Sequence, residues 1–182
     1  MKGYPAHAVA ARSVDSPVGP LVLQASEEGL AGLFFGHRIE APELPADDPG
    51  NAHLNLAARQ LEEYFSGQRT IFEVSLDVRG TEFQRGVWAE LRRIPFGVTR
   101  SYRDVAERLG NPGSVRAVGL ANGSNPVSVI VPCHRVIGAD GSLTGYGGGV
   151  ENKRWLLAHE GVLRVGPVQM GLFRKRAPSA AP

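Results

Sequence analysis

Cysteine is almost missing from this chain: its 182 residues include one, Cys133. A single thiol excludes an internal disulfide framework and any multi-cysteine zinc site, and it fits a reducing compartment. Long apolar runs are missing as well, since none approaches the ~18 residues that a membrane-spanning helix needs. The opening Met1-Lys2-Gly3-Tyr4-Pro5 lacks the continuous apolar stretch of a secretory signal. A cytoplasmic protein with no membrane partner is therefore expected. The chain also carries little net charge, +2, with 42% hydrophobic and 21% charged residues. That composition excludes disordered and collagen-like classes. The length permits one medium domain or two small ones and suffices to bury a core.

The small net charge is a cancellation. Residues 1–80 hold six Lys and Arg against eleven Asp and Glu, a net of −5. Residues 81–182 hold fourteen against seven, a net of +7. An acidic front and a basic back point to two units, with any polyanion on the second.

The front reads as α+β. Residues 12–35 have hairpin character, with turn chemistry at Ser16 to Pro20 and a second turn at Glu27-Glu28-Gly29 between Leu21-Val22-Leu23 and Leu30 to Phe35. Residues 38–52 read as an exposed loop. Leu54, Ala57, Leu61 and Phe65 recur at helical spacing before Gly67, and Ile71 to Val78 alternates with period two like a strand. The back is mostly helical. Thr81 is a good N-cap for a helix whose stripe is Phe83, Val87, Leu91 and Ile94, stopped by Pro95. Ser101-x-x-Asp104 is a capping-box signal. Ser114 can cap a further helix to about Ala121, Val127 to Val131 is an apolar β-branched stretch, and Glu151 to Glu160 reads as a last helix ended by Gly161. The expected organisation is an N-terminal α/β domain with antiparallel strands over 1–79, a helical domain over 80–170, and a tail over 171–182.

Two short helices near 103–109 and 114–122, joined by a Gly-containing turn, match a helix-turn-helix. Spacing alone favours the plainer reading of two short packed helices. The second helix has small residues at Ala117, Gly119 and Ala121 and a single cation, Arg116. Gly inside a helix costs about 1 kcal/mol relative to Ala, which either a tight helix contact or close approach to DNA would explain. Base readout in the major groove normally uses several Arg, Asn or Gln side chains. If this helix meets DNA, it reads shape and backbone.

The chemistry lies in Asn125 to Val136. A lone cysteine after an apolar stretch is usually an inert core residue. Here His134 and Arg135 follow directly, and a neighbouring base or cation activates a thiol. Adjacent residues on an extended chain point to opposite faces, so contact between Cys133 and His134 needs a bend or a bridging water.

At Pro132-Cys133-His134-Arg135-Val136 the sequence resembles the O6-alkylguanine-DNA alkyltransferases. Matching blocks are Phe83-Gln84-x-x-Val87-Trp88, Ile94-Pro95-x-Gly97-x-x-x-Ser101-Tyr102, Arg116-Ala117-Val118-Gly119, Asn125-Pro126, Gly141-x-x-x-Gly145-Tyr146, and Lys153 to Gly161. The resemblance is dense from about 81 to 161 and weaker before 80. It implies a monomer that acts on double-stranded DNA containing O6-alkylguanine, with O4-alkylthymine left open, and that uses no cofactor and no metal. Cys133 is implied as the alkyl acceptor, His134 as its base through a water, and Glu160 as the group that orients His134. Tyr102 is implied near a guanine ring nitrogen, and the Gly147 amide near O6. The Cys133 and Val136 carbonyls would meet the exocyclic amine, Asn125 would hold the turn, and Tyr146 would wall the pocket. Arg116 would fill the stack vacated by the flipped base, with Ala117, Gly119 and Ala121 giving close approach. Arg135 and Lys153 join the substrate- and DNA-binding set. A thioether is not a leaving group and no second thiol exists, so one transfer per molecule is expected.

Rival readings are weaker. Gly145 to Gly149 lacks the βαβ context of a dinucleotide site, and a zinc deaminase needs Pro-Cys-x-x-Cys. A cysteine hydrolase has the residues it needs but would turn over. A non-catalytic binder of alkylated DNA would not need Cys133.

Overall fold

The computed structural model describes residues 5–36 and 48–163. The expected tail over 171–182, and most of the expected 38–52 loop, lie outside the described residues. Three strands, β1 (Ala10–Val14), β2 (Leu21–Ala25) and β3 (Leu30–Phe35), form an antiparallel sheet in the order β1-β2-β3. The β1–β2 turn closes with Gly19 N–H on the Ser16 carbonyl at 3.0 Å, and Gly19 sits at φ +91°, a conformation that costs glycine nothing. Leu21 pairs with Phe35, and Leu23 with Leu33. Helix α1 (Ala52–Phe65) starts at the Asn51 cap, packs on the sheet and buries Leu54, Ala57, Leu61 and Tyr64.

The alternation over Ile71 to Val78 does not become a sheet strand. Val74 is buried between exposed neighbours, but one parallel bridge, Leu30 to Leu76, is the extent of its strand pairing. The Gln60 side chain takes the ladder's place, accepting from Glu73 N at 2.7 Å and donating to the Glu73 carbonyl at 3.3 Å. An amide on α1 thus satisfies backbone groups that a neighbouring strand would otherwise need to meet.

Helix α2 (Glu82–Arg92) opens with a complete Thr81–Gln84 capping box and buries Val87, Trp88 and Leu91. Phe83, expected on that stripe, is instead 37% exposed. A two-residue strand, β4 (Arg100–Ser101), leads into α3 (Tyr102–Arg108), which has its own Ser101–Asp104 capping box. After a turn through Gly110 and a single 3₁₀ turn at Pro112–Ser114 comes α4 (Val115–Gly123). Ser114 does not cap it; its hydroxyl bonds back to the Asn111 carbonyl at 2.7 Å. Helix α4 packs on both α2 and α3, and Trp88 Nε1 donates to the Ala121 carbonyl at 2.9 Å. Strand β5 (Val136–Ile137) pairs in parallel with β4, and α5 (Val150–His159) closes the described chain, ending before Gly161 at φ +75°.

Val127 to Val131 does not form a strand either. Leu33 N–H reaches the Pro126 carbonyl at 2.9 Å and Ser128 N–H returns to Leu33 at 3.0 Å, after which the chain turns at once. This bridge joins the two halves, and one buried cluster runs through both, from Leu33 and Phe35 to Val87, Val131 and Leu156. No helix among the described residues is long and apolar enough to cross a membrane.

Packing also explains one glycine of the Gly145 to Gly149 run. A Cβ on Gly148 would lie 2.5 Å from the buried Phe35 ring, whereas a Cβ on Gly145 would meet nothing within 4 Å. Gly148→Ala is therefore expected to lose about 1–3 kcal/mol through overpacking, and Gly145→Ala to stay close to wild type. Urea denaturation of both variants checks this.

Candidate functional site

The bend that adjacency of Cys133 and His134 requires is present. Cys133–Arg135 forms one 3₁₀ turn, three residues to the turn, in place of an extended segment. What precedes it is strained: Val129 sits at φ +69°, a left-handed conformation that is a true outlier for a β-branched residue. Cys133 N–H then bonds the Val131 carbonyl at 2.8 Å. Asn125 spans the loop from inside. Its Nδ2 donates to the Val131 carbonyl at 2.8 Å and to Cys133 Sγ at 3.0 Å, while its Oδ1 accepts from Val127 N at 3.0 Å. A donor held against sulfur favours negative charge developing there.

Glu160 lies behind the thiol at the C-cap of α5, with its side chain fully buried. Its Oε1 accepts from His134 Nε2 at 2.8 Å, Tyr64 Oη at 2.8 Å and Arg135 Nη2 at 2.9 Å. Its Oε2 accepts from Arg135 Nε at 2.8 Å and Gly97 N at 3.3 Å. Gly97 is required there: it sits at φ +75°, and a Cβ would come within 3.1 Å of the Glu160 carbonyl. Burial pushes the Glu160 carboxyl up, but the hydrogen bonds and charges of His134 and Arg135 overcome it and hold it at about 2. The carboxylate is thus an acceptor only, so the His134 proton must sit on Nε2. Burial in turn pushes His134 down, outweighing the attraction of Glu160. The imidazole is neutral at pH 7, with a basic Nδ1 that is buried and bonded to no protein atom.

The pocket in front of Cys133 is lined by Phe34, Phe35, Asn122, Gly123, Asn125, Ser128, Gly145, Tyr146 and Gly147. Tyr146 stands edge-on to Phe35, with ring centroids 5.6 Å apart, and edge-on to His134 at 6.4 Å. Tyr102, the first residue of α3, bonds Thr144 Oγ1 at 3.0 Å. Arg116, Ala117 and Leu120 form the exposed face of α4.

Three of the expected DNA and substrate contacts lie elsewhere. Ala121 is buried, with Trp88 on its carbonyl, because its face of α4 packs inward. Leu120, 72% exposed, stands on the outer face instead. Arg135 is buried and fully engaged with Glu160 and the Ile94 carbonyl at 2.5 Å. Lys153 is fully buried, with Nζ donating to the Val136 carbonyl at 2.6 Å and to the Thr144 carbonyl at 3.3 Å. Burial lowers it to about 8, against the attraction of Cys133. Both cations are struts of the site. Gly119 is not explained by tight helix packing, since a Cβ there would meet Tyr102 at an ordinary 3.9 Å.

Two contributors escaped the sequence reading. Tyr64 gives no local signal, because its partner is 96 residues away. Asn122 lines the pocket with a buried Oδ1 that has no partner; a polar residue on an inward face was its only trace.

Two family models match this chain: the 6-O-methylguanine DNA methyltransferase DNA binding domain over residues 82–162, and the ribonuclease-like domain of the same enzyme over 9–78. The chain belongs to the 6-O-methylguanine DNA methyltransferase family. A methylated-DNA–protein-cysteine methyltransferase of Mycobacterium bovis is 50% identical over 149 residues, 82% of this chain and 90% of that one. A relative of the same name from Methanosarcina acetivorans is 48% identical over 150 residues, covering 81% and 95%. Among solved structures, Mycobacterium tuberculosis OGT in complex with DNA superposes with a TM-score of 0.80 at 47% identity, covering 90% of this chain and 99% of that one. The family thus spans both halves, including the front, where the motifs are sparse.

The buried carboxylate makes stability depend on pH. Glu160 is depressed to about 2 from an ordinary 4.5. Its contribution, about 3 kcal/mol, is present above pH 4.5 and lost as pH falls towards 2. His134, depressed from 6.5, adds loss in the same direction, beginning below pH 6.5. Chemical denaturation across pH is expected to show both steps. Glu160→Gln is expected to abolish the lower step and, by stranding Arg135, to cost about 3–5 kcal/mol at pH 7.

Proposed function

We propose that this chain repairs DNA by direct reversal, taking a methyl or larger alkyl group from O6 of guanine onto Cys133 Sγ in one irreversible transfer. The observation that carries the residue assignment is the buried Asn125–Cys133 and His134–Glu160 arrangement at the back of a pocket. Attack on an sp³ carbon needs a soft nucleophile, and a thiolate is the best a protein offers. His134 Nδ1, with Nε2 committed to Glu160, takes the thiol proton through a water. The S–C bond forms as the C–O6 bond breaks, and the electron pair leaves with guanine. The Gly147 amide meets O6, and Tyr102 exchanges Thr144 for a ring nitrogen and supplies a proton or hydrogen bond. The Cys133 and Val136 carbonyls take the exocyclic amine; Lys153 fixes the second of these and leaves it a free lone pair. Tyr146 walls the base.

A stacked base cannot present O6 to a thiol this deep, so it is flipped out at a cost of about a few kcal/mol. Arg116 on the exposed face of α4 fills the gap, with Ala117 and Gly119 allowing close approach. The protein works as a monomer on duplex DNA inside the cell. Its working division is a scaffold over 1–79 and a DNA-binding, alkyl-accepting unit over 80–170. A non-catalytic binder or a turning-over hydrolase is not favoured, because the thiol and its base are intact and the thioether product has no exit.

Incubation with an O6-methylguanine duplex should add one methyl to Cys133 by mass spectrometry and then stop; repeated turnover, or label elsewhere, contradicts the proposal. Cys133→Ala should bind the lesion and transfer nothing. Arg116→Ala should slow repair of duplex at least about 10-fold, the effect of ~1.4 kcal/mol, while hardly changing reaction with free O6-benzylguanine.

A further inference from the structure

We infer that Tyr64, from the N-terminal unit, is a positioning residue that sets the basicity of His134. Two neutral donors share one oxygen: Tyr64 Oη and His134 Nε2 both reach Glu160 Oε1 at 2.8 Å. Tyr64 is fully buried on α1, and its ring is fixed edge-on to Phe65 at 5.2 Å, Phe96 at 6.1 Å and His159 at 5.0 Å. His159 Nε2 bonds the Tyr64 carbonyl at 2.7 Å, so α5 clamps the residue at its backbone as well. The hydroxyl therefore has one place to donate. Each donor on Oε1 draws charge that the other would use, so the Tyr64 bond weakens the pull of Glu160 on the His134 proton. The remaining charged and titratable groups around the pair are Arg135 on Glu160, and Lys153, Cys133 and Tyr146 around His134. Of the donors to Glu160, Tyr64 alone comes from the N-terminal half. The acidic half thus reaches the Glu160 carboxylate through one hydroxyl.

This inference rests on the alkyl-transfer reading, and its test separates the two. The single-turnover rate of Cys133 alkylation by free O6-benzylguanine is measured against pH for the full chain. Wild type must transfer; if it does not at any pH, the functional reading fails first. Tyr64→Phe is expected to move the acid limb of the profile up by about half a unit, the size expected for one neutral donor withdrawn from a shared carboxylate. Site-specific 3-fluorotyrosine, a stronger donor, is expected to move the limb down, and it serves as the variant if Tyr64→Phe does not fold. Phe72→Leu removes a ring 5.3 Å from Tyr64 while keeping the hydroxyl, and it should lower the melting temperature without moving the limb. An unmoved limb in Tyr64→Phe or in the fluorotyrosine protein, with wild type active, overturns the inference. So does a Phe72→Leu limb that moves as far as that of Tyr64→Phe.

Discussion

The site depends on one buried carboxylate. Glu160 is out of water and carries charge, a state that costs several kcal/mol unless the lone pairs are met. Five donors meet them, from α1, the Gly97 turn and the Cys133–Arg135 turn. Each donor is fixed in turn by the same contact. Because the carboxylate is ionised, it dictates the His134 tautomer, leaves Nδ1 as the basic nitrogen, and pins Arg135 inward where a surface reading would place it outward. Removing the carboxylate would therefore strand a guanidinium, release a histidine and loosen the turn that carries the thiol.

Much of the frame was legible because its signals are local. The Thr81 N-cap, the Ser101–Asp104 capping box, the Gly67 and Gly161 stops and the β2–β3 turn each depend on residues within a few positions, and all are present. The misreadings share the opposite cause. Ile71 to Val78 has strand alternation, but Gln60 on α1 takes the Glu73 backbone bonds and a single bridge to Leu30 takes those of Ser75 and Asp77. Val127 to Val131 has strand composition, but the need to turn the chain towards Cys133 forces Val129 left-handed. Arg135 and Lys153 read as substrate or DNA contacts in a basic half, yet both side chains complete buried polar groups. Ala121 and Leu120 differ by one position on α4, and the Trp88 contact decides which faces out.

The two halves divide by charge but not by core. Among the described residues the acidic half places no thiol or histidine in the pocket, and the basic half holds the thiol, the histidine and the exposed helix. Even so, Leu33 seats the loop before Cys133, Phe35 sets the space around Gly148 and Tyr146, and Tyr64 closes the carboxylate. The front half acts as the back wall of the site. Family membership across both halves fits that interdependence. The single cysteine excludes an internal disulfide and cysteine metal clusters and, as the proposed acceptor, would limit the chemistry to one event.

Burial holds His134 neutral at pH 7 against the pull of Glu160, and the Glu160 carboxylate fixes its proton on Nε2 and leaves a lone pair on Nδ1. Nitrogen-15 NMR of the His134 ring at pH 7, assigned by comparison with His134→Gln, tests it directly. One pyrrole-like Nε2 and one pyridine-like Nδ1 are expected, unchanged down to below pH 6.5. An imidazolium at pH 7, or a proton resident on Nδ1, would contradict it.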